Sequence, residues 1–356
     1  MIYFPKILRW ISPVINFCYV GGAVVHQKMY DWKILRKKSA PLLVVSVGSI
    51  ISGGAGKTPF VIWLASLLQG KGYRVAVLSR GYKREKSVNG RESLIVSDGR
   101  TLLCTPQEGG DEPLLIARHL CGVPVVVGKD RHAAALLALS CWGTEIVLLD
   151  DGMQHRRLAK DLEIVLVDAT RPLGEGLPLS QRDPGSALKR ADLLVLTRTG
   201  EIEQSVLEEL RMKLRRECGA PLIETAHRLE KIEKIDSGES VSQEWLKGLR
   251  LFAFAGIANP ESFDRLLRDQ GIRAVGKEWF RDHQKYDQRV IASILKMAKE
   301  AGAEALVTTS KDAVKLNQAQ FLHIPLYVVS VGIKLITTDD NSFFEQFQAC
   351  LKVNIQ

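Results

Sequence analysis

The amino-acid sequence predicts an α/β fold with a parallel-sheet domain, followed by a second and smaller α/β domain. Short runs of β-branched residues alternate with helical patterns from residue 42 to residue 197, which is typical of βαβ units. A second series of the same kind begins near residue 251, after a charged segment at 230–247 that contains glycine and serine. With 356 residues the chain is long for a single hydrophobic core, so we expect two domains.

The elements of the first domain follow from runs of Val, Ile and Leu separated by helical patterns. Pro59 suits the first turn of a helix, because an N–H at that position would have no partner within the helix. The stretch 83–105 is polar and punctuated by glycine, which predicts a hairpin or a mobile flap. We therefore predict strands at 42–47, 74–78, 123–127, 145–149, 162–167 and 192–196, and helices at 60–68, 112–120 and 131–139.

The second domain is predicted from the same alternation of strand and helix patterns. Strands are expected at 251–255, 305–309 and 326–329, and helices at 261–269, 287–301 and 311–318. The segments 223–235 and 327–336 are extended in pattern and could pair as a two-stranded connector. The predicted division is an N-terminal segment at 1–39, a larger domain at 40–225 and a smaller domain at 226–356.

Composition and charge exclude some classes of protein. With 46% hydrophobic and 25% charged residues, the chain has the composition of a folded protein rather than of a disordered or multi-span membrane protein. The formal net charge of +9 suits a polyanionic partner. No long basic block or nucleic-acid-binding motif occurs, so a membrane surface or a phosphorylated substrate is favoured over nucleic acid. No obligate protein partner is evident, and the six scattered cysteines are expected to be reduced.

The N-terminal stretch 11–25 is apolar but interrupted by Pro13, Asn16 and a pair of glycines. A spanning helix needs about 20 apolar residues, and no cleavage site typical of a secretory signal is present. The segment could lie in the plane of a membrane interface, or it could be a helix packed on the domain. In the membrane interface, aromatic residues would anchor the segment and basic residues would contact lipid headgroups. These residues are Tyr3, Phe4, Lys6, Arg9, Trp10, Phe17 and Tyr19.

A glycine-rich loop connects the first predicted strand to the first helix, with the sequence GSIISGGAGKT at 48–58. Glycines allow backbone N–H groups to turn towards phosphate oxygens, and the helix N-terminus adds its dipole. Lys57 can reach the outer phosphates of a nucleotide, and Thr58 can bind Mg²⁺. The usual first glycine is replaced by Ile51. The predicted phosphate-binding residues are Gly53, Gly54, Ala55, Gly56, Lys57, Thr58 and Pro59.

Two adjacent aspartates, Asp150 and Asp151, end a predicted buried strand. A carboxylate at this end of a strand near a phosphate-binding loop is where Mg²⁺ is commonly held. An acidic turn that caps the next segment is the alternative. Gln154 and His155 follow directly and could contact phosphate or an acceptor.

A further carboxylate, Asp111, precedes a predicted helix in the sequence GDEP and could simply cap that helix. A kinase that acts on a hydroxyl benefits from a carboxylate that accepts its proton, preferably oriented by a second group. The sequence Asp282-His283 in the second domain offers such a partner if the two domains face each other.

An ordered series of motifs resembles the tetraacyldisaccharide 4′-kinase family over nearly the whole chain after residue 40. The motifs are GGAGKTP (53–59), LSRGY (78–82), GDEP (110–113), DDGMQHRRL (150–158), RPLGEG (171–176), FAGIANP (254–260), FRDHQKY (280–286) and TTSKDAVKL (308–316). The apolar N-terminus is similar to the membrane-contacting segment of the family.

The resemblance implies two Rossmann-like domains with the active site between them. It implies transfer of phosphate from ATP to the 4′-hydroxyl of a lipid-linked disaccharide 1-phosphate, giving lipid IVA at the cytoplasmic face of the bacterial inner membrane. The implied catalytic residues are Asp111 as proton acceptor, His283 as the group that orients it, and Lys57. Thr58, Asp150, Asp151 and Glu112 are the implied Mg²⁺ ligands. The implied substrate-binding residues are Arg80, Tyr82, Gln154, His155 and Arg171.

The sequence departs from the family pattern at a few positions. Met153 stands where phenylalanine is usual, Lys83 replaces a glycine, and Ser310 replaces an acidic residue. After Gly176 the loop reads LPLSQRDP and lacks the usual form of the family, which leaves the role of residues 176–184 in acceptor binding open. One alternative is a P-loop ATPase switch of the partitioning type without a small-molecule acceptor, and the glycine pair at 53–54 is compatible with it. A soluble nucleoside or cofactor kinase is a third possibility, but it gives the apolar N-terminus no role.

Overall fold

Within the part of the chain that it describes, the computed structural model places twelve strands in one sheet. It describes residues 29–30, 32, 34–51, 53–81, 93–172, 185–317, 321 and 323–355. The spatial order of the strands is β10-β9-β11-β12-β8-β7-β6-β1-β5-β2-β4-β3. They are β1 (Leu43–Gly48), β2 (Val75–Ser79), β3 (Ser93–Ser97), β4 (Val125–Gly128), β5 (Ile146–Asp150), β6 (Leu162–Asp168), β7 (Leu193–Thr197), β8 (Leu222–Lys234), β9 (Leu251–Ala255), β10 (Ala274–Trp279), β11 (Ala305–Thr309) and β12 (Leu326–Leu335).

The α-helices connect these strands and cover the sheet. They are α1 (Lys57–Gly70), α2 (Pro106–Gly109), α3 (Asp111–His119), α4 (Arg131–Trp142), α5 (Gln204–Glu217), α6 (Gln243–Lys247), α7 (Pro260–Asp269), α8 (Gln288–Glu300), α9 (Ser310–Ala313) and α10 (Asp340–Ile355). Short polar side chains begin several of them: Asp130, Asn259 and Asp287 each accept a hydrogen bond from a backbone N–H in the first turn of α4, α7 and α8. Within the described residues, no helix combines the length and the apolar character needed to cross a bilayer.

Strand β8 belongs to both halves of the sheet. Its first residues, Leu222–Glu224, pair in parallel with β7, and its remainder pairs antiparallel with β12 from Thr225 to Lys234. The two extended segments that the sequence suggested as a connector therefore lie side by side. Apart from the β8–β12 pair and the edge pair β3–β4, all adjacent strands are parallel, as the βαβ pattern predicted.

In each half of the sheet, apolar side chains cover both faces. In the N-terminal half, α1 and α3 pack on one face and α4 on the other, and the C-terminal helix α10 returns to join the first group. Phe343 of α10 meets Phe60 and Trp63 of α1 edge-on, at centroid distances of 6.3 and 4.7 Å. The C-terminal half has its own two clusters, one on each side of β9 and β11. This packing holds the carboxyl ends of the parallel strands at one edge, where ligands of α/β proteins commonly bind.

Some elements differ from the prediction. Strands β3 and β10, and helices α2, α5, α6 and α10, were not assigned from the sequence, and α9 is shorter than the helix predicted at 311–318. Strand β10 lies at an edge and alternates between partly buried and exposed positions, so it carries a weak hydrophobic signal. Part of the stretch predicted as a hairpin or flap forms the edge strand β3, and residues 82–92 lie outside the described part of the chain.

Candidate active site

A cavity of about 880 Å³ lies at the carboxyl edge of the sheet, between the two halves. The glycine-rich loop and the start of α1 form its floor, while the segment 257–263 and the turn that contains His283 form the opposite wall. Many of the predicted site residues line it: Gly53, Gly54, Ala55, Gly56, Lys57, Thr58, Pro59, Arg80, Glu112, Asp150, Asp151, Gln154, His155 and His283.

The backbone of the glycine-rich loop adopts a shape that requires glycine. Gly53, Gly54 and Gly56 have φ angles of 70°, 75° and 75°, in the left-handed region that other residues rarely adopt. Gly56 is the N-cap of α1, and no side chain caps this helix. The free N–H groups at the start of α1 therefore face the cavity and provide a site for anionic oxygens.

Lys57 lies between the loop and the acidic turn after β5. Its Nζ is 3.2 Å from Ser49 Oγ and 3.3 Å from Asp151 Oδ1. Asp151 itself has a φ of 54°, so the turn after β5 is held in an uncommon conformation that directs this carboxylate towards the lysine. Lys57 is thus charge-paired within the site and positioned beside the loop.

Asp150 is buried at the end of β5 and accepts a hydrogen bond of 3.1 Å from Ser79 Oγ of the neighbouring strand. Burial raises the pKa of Asp150 to about 7, and the charges of Glu112 and Asp151 act in the same direction. A concentration of carboxylates that raises the pKa of one member is a site where a cation would lower the electrostatic energy.

A Mg²⁺ ion is compatible with this donor set. The described residues contain no ready-made group of three or more His, Cys, Asp or Glu ligands. Mg²⁺ in nucleotide-binding proteins needs only one or two carboxylates, because water and substrate phosphates supply the other ligands. Asp150, Asp151 and the hydroxyl of Thr58 are available for this role at the wall of the cavity.

Asp111 and His283 come together although they are 172 residues apart in the sequence. His283 lines the cavity, whereas Asp111 itself is not among the lining residues. The distance from His283 Nδ1 to Asp111 Oδ2 is 3.4 Å. Asp111 is the first residue of α3, whose N-cap is Gly110 with no side-chain cap, so Asp111 does not serve as the cap that the sequence allowed. Burial alone would raise the pKa of Asp111, but the hydrogen bond with His283 and the charges of Lys315, His283 and Lys311 outweigh it and lower the pKa. The carboxylate is therefore ionised near neutral pH.

The remaining predicted residues have different positions. Gln154 donates a hydrogen bond of 3.1 Å to the Ser49 carbonyl, which ties the turn after β5 to the end of β1. Burial lowers the pKa of His155 to about 4, and the charges of Arg131 and Lys160 add to this effect. Arg80 is exposed at the rim of the cavity, and Arg171 is partly buried but is not among the cavity-lining residues. Tyr82 lies outside the described residues.

Other cavity residues were not identified from the sequence. Arg198 follows β7 and forms a buried ion pair with Asp168 at the end of β6. Its position at the carboxyl end of a parallel strand is a signal that could have found it. His227 lies within β8 beside the glycine-rich loop, where a Cβ on Gly56 would be 3.0 Å from its Nε2 atom. No local pattern marks His227, because its position depends on pairing between distant strands.

Replacing His227 with glutamine is expected to make unfolding less sensitive to acid. Burial lowers the pKa of His227 to about 3, and the charge of Arg198 contributes. The unfolded chain therefore takes up a proton near pH 6.5 that the folded chain refuses, so stability decreases as the pH falls from about 6.5 towards 3. Uptake of one such proton by the unfolded chain lowers the free energy of unfolding by about 1.4 kcal/mol for each pH unit. Urea unfolding of wild type and H227Q at pH 7 and 4.5 measures the difference; equal pH slopes would contradict the prediction.

A loop that can bind the phosphates of a nucleotide shares its cavity with a histidine that contacts an ionised carboxylate, and this arrangement assigns the chain to the P-loop kinases. Comparison with known proteins identifies the family within this class. The chain belongs to the LpxK family, described as tetraacyldisaccharide-1-P 4′-kinase, whose family model matches residues 8–352. The resemblance inferred from the motifs is thereby confirmed, and the alternative of a partitioning-type ATPase switch is not favoured.

Relatives and a solved structure give the same result over most of the chain. A tetraacyldisaccharide 4′-kinase of Syntrophus aciditrophicus is 39% identical over 334 residues, which cover 90% of this chain and 88% of that protein. A relative of the same name from Geobacter sulfurreducens is 42% identical over 295 residues, covering 82% of this chain and 79% of the relative. The crystal structure of the "apo" form of LpxK from Aquifex aeolicus in complex with ATP matches with a TM-score of 0.74 and 32% identity, covering 97% of this chain and 99% of that chain.

Proposed function

We propose that this protein transfers the γ-phosphate of ATP to the 4′-hydroxyl of a tetraacylated disaccharide 1-phosphate, forming lipid IVA in lipid A biosynthesis. The observation that carries the proposal is the contact of Asp111 with His283, a histidine that lines the same cavity as the glycine-rich loop. Family membership supports the acceptor, because the matching relatives are named as 4′-kinases of this compound. ATP as the donor is supported by the ATP complex of the Aquifex aeolicus protein.

In this proposal, the residues of the cavity divide the work of phosphoryl transfer. Asp111 accepts the proton of the attacking hydroxyl, and His283 holds the carboxylate in position. Lys57 and the backbone N–H groups of the loop bind the outer phosphates. A bound Mg²⁺ would neutralise charge on the transferring group, with Thr58, Asp150, Asp151 and Glu112 as its candidate ligands.

The same proposal assigns the acceptor to the rim of the cavity. Arg80, Tyr82, Gln154, His155 and Arg171 are its candidate binding residues, and the acyl chains stay in or near the lipid. The larger domain at 40–225 would contribute the nucleotide site, and the smaller Rossmann-like domain at 226–356 would contribute His283. Such positioning of two reactants accounts for much of the rate in phosphoryl transfer.

We also propose that the segment 1–39 brings the active site to the cytoplasmic face of the bacterial inner membrane. The support is the apolar and aromatic N-terminal sequence, which lies mostly outside the described residues, together with the net charge of +9. Peripheral association is compatible with the absence of a bilayer-spanning helix among the described residues.

Deleting residues 1–25 is expected to weaken binding to anionic vesicles. A flotation assay compares the full chain and the truncated chain on vesicles of phosphatidylcholine alone and of phosphatidylcholine with phosphatidylglycerol. The full chain should bind better to the anionic vesicles, because basic residues near a surface contribute about 1 kcal/mol each. Equal binding of the two chains would refute a role of this segment in membrane contact.

The experiment that tests the proposed function is incubation with γ-labelled ATP and a tetraacyl disaccharide 1-phosphate, followed by chromatography. A labelled disaccharide bisphosphate is expected as the product. An ATPase switch would release labelled inorganic phosphate without labelling the lipid, and that result would refute the proposal.

A further inference from the structure

Lys311 projects from the C-terminal half into the cavity. It lies in the short helix α9, immediately after β11. Its Nζ is 3.2 Å from Asp282 Oδ1, on the same half of the sheet, and 3.3 Å from Glu112 Oε1, on helix α3 of the other half. The ammonium group therefore bridges the two walls of the cavity. Its partner in the N-terminal half, Glu112, directly follows Asp111 in the sequence.

A carboxylate partner of Lys311 lies against the first part of the glycine-rich loop. This partner is Asp282, whose Oδ2 would be 3.8 Å from a Cβ on Gly53. The Cβ of Ala258 would be 3.5 Å from the same Cβ position. In a phosphate-binding loop the backbone N–H groups cradle the phosphates, and the lysine reaches the β- and γ-phosphates. Lys311 and Lys57 line the same cavity, so Lys311 lies in the compartment where the phosphoryl group would be transferred.

Lys311 is paired with two carboxylates at the surface of the cavity. The side chain is 21% exposed on the cavity side, so it is neither sealed in the core nor free in solvent. The cavity wall contains the carboxylates Glu112, Asp150, Asp151 and Asp282, and the four negative charges of ATP would be added to them.

We propose that Lys311 is a catalytic lysine that contacts the γ-phosphoryl group of bound ATP and stabilises its charge during transfer. The inference rests on the proposed kinase function and extends it with a residue supplied by the C-terminal half. Lys311 keeps its proton and forms no covalent bond. The hydroxyl oxygen of the acceptor bonds to the γ-phosphorus, the bond from that phosphorus to the β–γ bridging oxygen breaks, ADP leaves, and the hydroxyl proton passes to the Asp111–His283 pair.

The physical basis is the distribution of charge in phosphoryl transfer. Negative charge spreads over the three equatorial oxygens of the transferring group, and a cation supplied by a second domain or protein stabilises it. Removing one pre-positioned donor of this kind lowers turnover by about 10²–10³-fold. Because Lys311 belongs to the opposite half from the loop, this contact would be made only when both halves enclose the nucleotide.

The test compares the uncharged variants K311M and K311Q with wild type and with the charge-retaining variant K311R. Glutamine can still donate hydrogen bonds to Glu112 and Asp282, so K311Q provides a folded variant if K311M is unstable. The matched control is K296M, since Lys296 is an exposed lysine of α8 whose contact is with Glu300. For each protein, kcat and KM are measured with normalisation to the number of ADP-binding sites. Affinities for ADP and for ADP with aluminium fluoride, a mimic of the transferring phosphoryl group, are measured by calorimetry with Mg²⁺ present.

We expect kcat of K311Q and K311M to decrease by about 10²-fold or more, and affinity for ADP with aluminium fluoride to decrease similarly. Affinity for ADP alone should stay within about threefold, and K311R should recover part of the loss because it keeps the charge. A purely structural ion pair would instead reduce ADP binding and turnover together, and that result would overturn the proposal. Wild-type kcat in K311Q would also overturn it. If wild type itself labels no lipid, the proposed function fails, which is distinct from failure of the lysine assignment.

Discussion

Replacing Asp111 with asparagine should lower turnover by about 10²–10⁴-fold, because the hydroxyl of the acceptor would lose the carboxylate that takes its proton. Asparagine keeps the size of the side chain and can still contact His283, which lies 3.4 Å away. The loop residues that bind phosphate are untouched, so affinity for ATP should change by no more than a few-fold. Steady-state kinetics with the disaccharide acceptor and a direct nucleotide-binding titration measure the two quantities separately.

The control for this variant is Asp269→Asn, which makes the same chemical change at an exposed position at the end of α7. Its turnover should equal that of wild type. Turnover of D111N within threefold of wild type would remove Asp111 from the role of proton acceptor. A parallel loss of ATP affinity in D111N would show that the residue supports the shape of the site rather than the proton transfer.

Replacing Asp168 with alanine should lower the free energy of unfolding by about 3–5 kcal/mol, because it leaves the guanidinium of Arg198 buried without its main partner. Both side chains are buried, with 3% and 6% of their surface exposed. The lower end of the range is expected, since Glu201 remains 3.8 Å from the Nε atom of Arg198. Asp168 also accepts hydrogen bonds from the backbone N–H and the hydroxyl of Thr170, so the turn after β6 should loosen as well.

Urea unfolding of D168A, followed by circular dichroism, measures this loss. The control is Glu300→Ala on α8, which removes one partner of an exposed ion pair of 3.8 Å and should cost less than about 1 kcal/mol. Equal stability of D168A and E300A would contradict the assignment of the Asp168–Arg198 pair as a structural support of the cavity wall. Because Arg198 lines the cavity, a decrease in nucleotide affinity should accompany the loss of stability in D168A.

The parts of the site that the sequence predicted are those in which local pattern and chemistry coincide. The glycine-rich loop is flanked by a strand and a helix that each show a clear hydrophobic pattern, and Asp150 directly follows a run of buried residues. In both cases, the local chain direction determines where the functional groups lie. The same reasoning identified the βαβ order of the first half of the sheet.

The parts that could not be predicted depend on contacts between distant segments. Asp111 could equally have capped a helix, and only the approach of His283 distinguishes the two roles. Lys311 and Glu112 are 199 residues apart, and His227 reaches the loop through the pairing of β8 with β7. Edge strands such as β3 and β10 are partly exposed, so their hydrophobic signal is weak.

The shared strand β8 limits how far the two halves of the enzyme can move apart. It pairs with β7 at Leu222–Glu224 and with β12 from Thr225 to Lys234, with a register shift at Ser330–Val331, so paired strands join the two sides of the cavity. Opening of the cavity for an acylated sugar would therefore involve bending or twisting of these strands. The resistance of β8 and β12 to twisting, which depends on the contacts between their cross-strand side chains, would then govern how often the cavity opens.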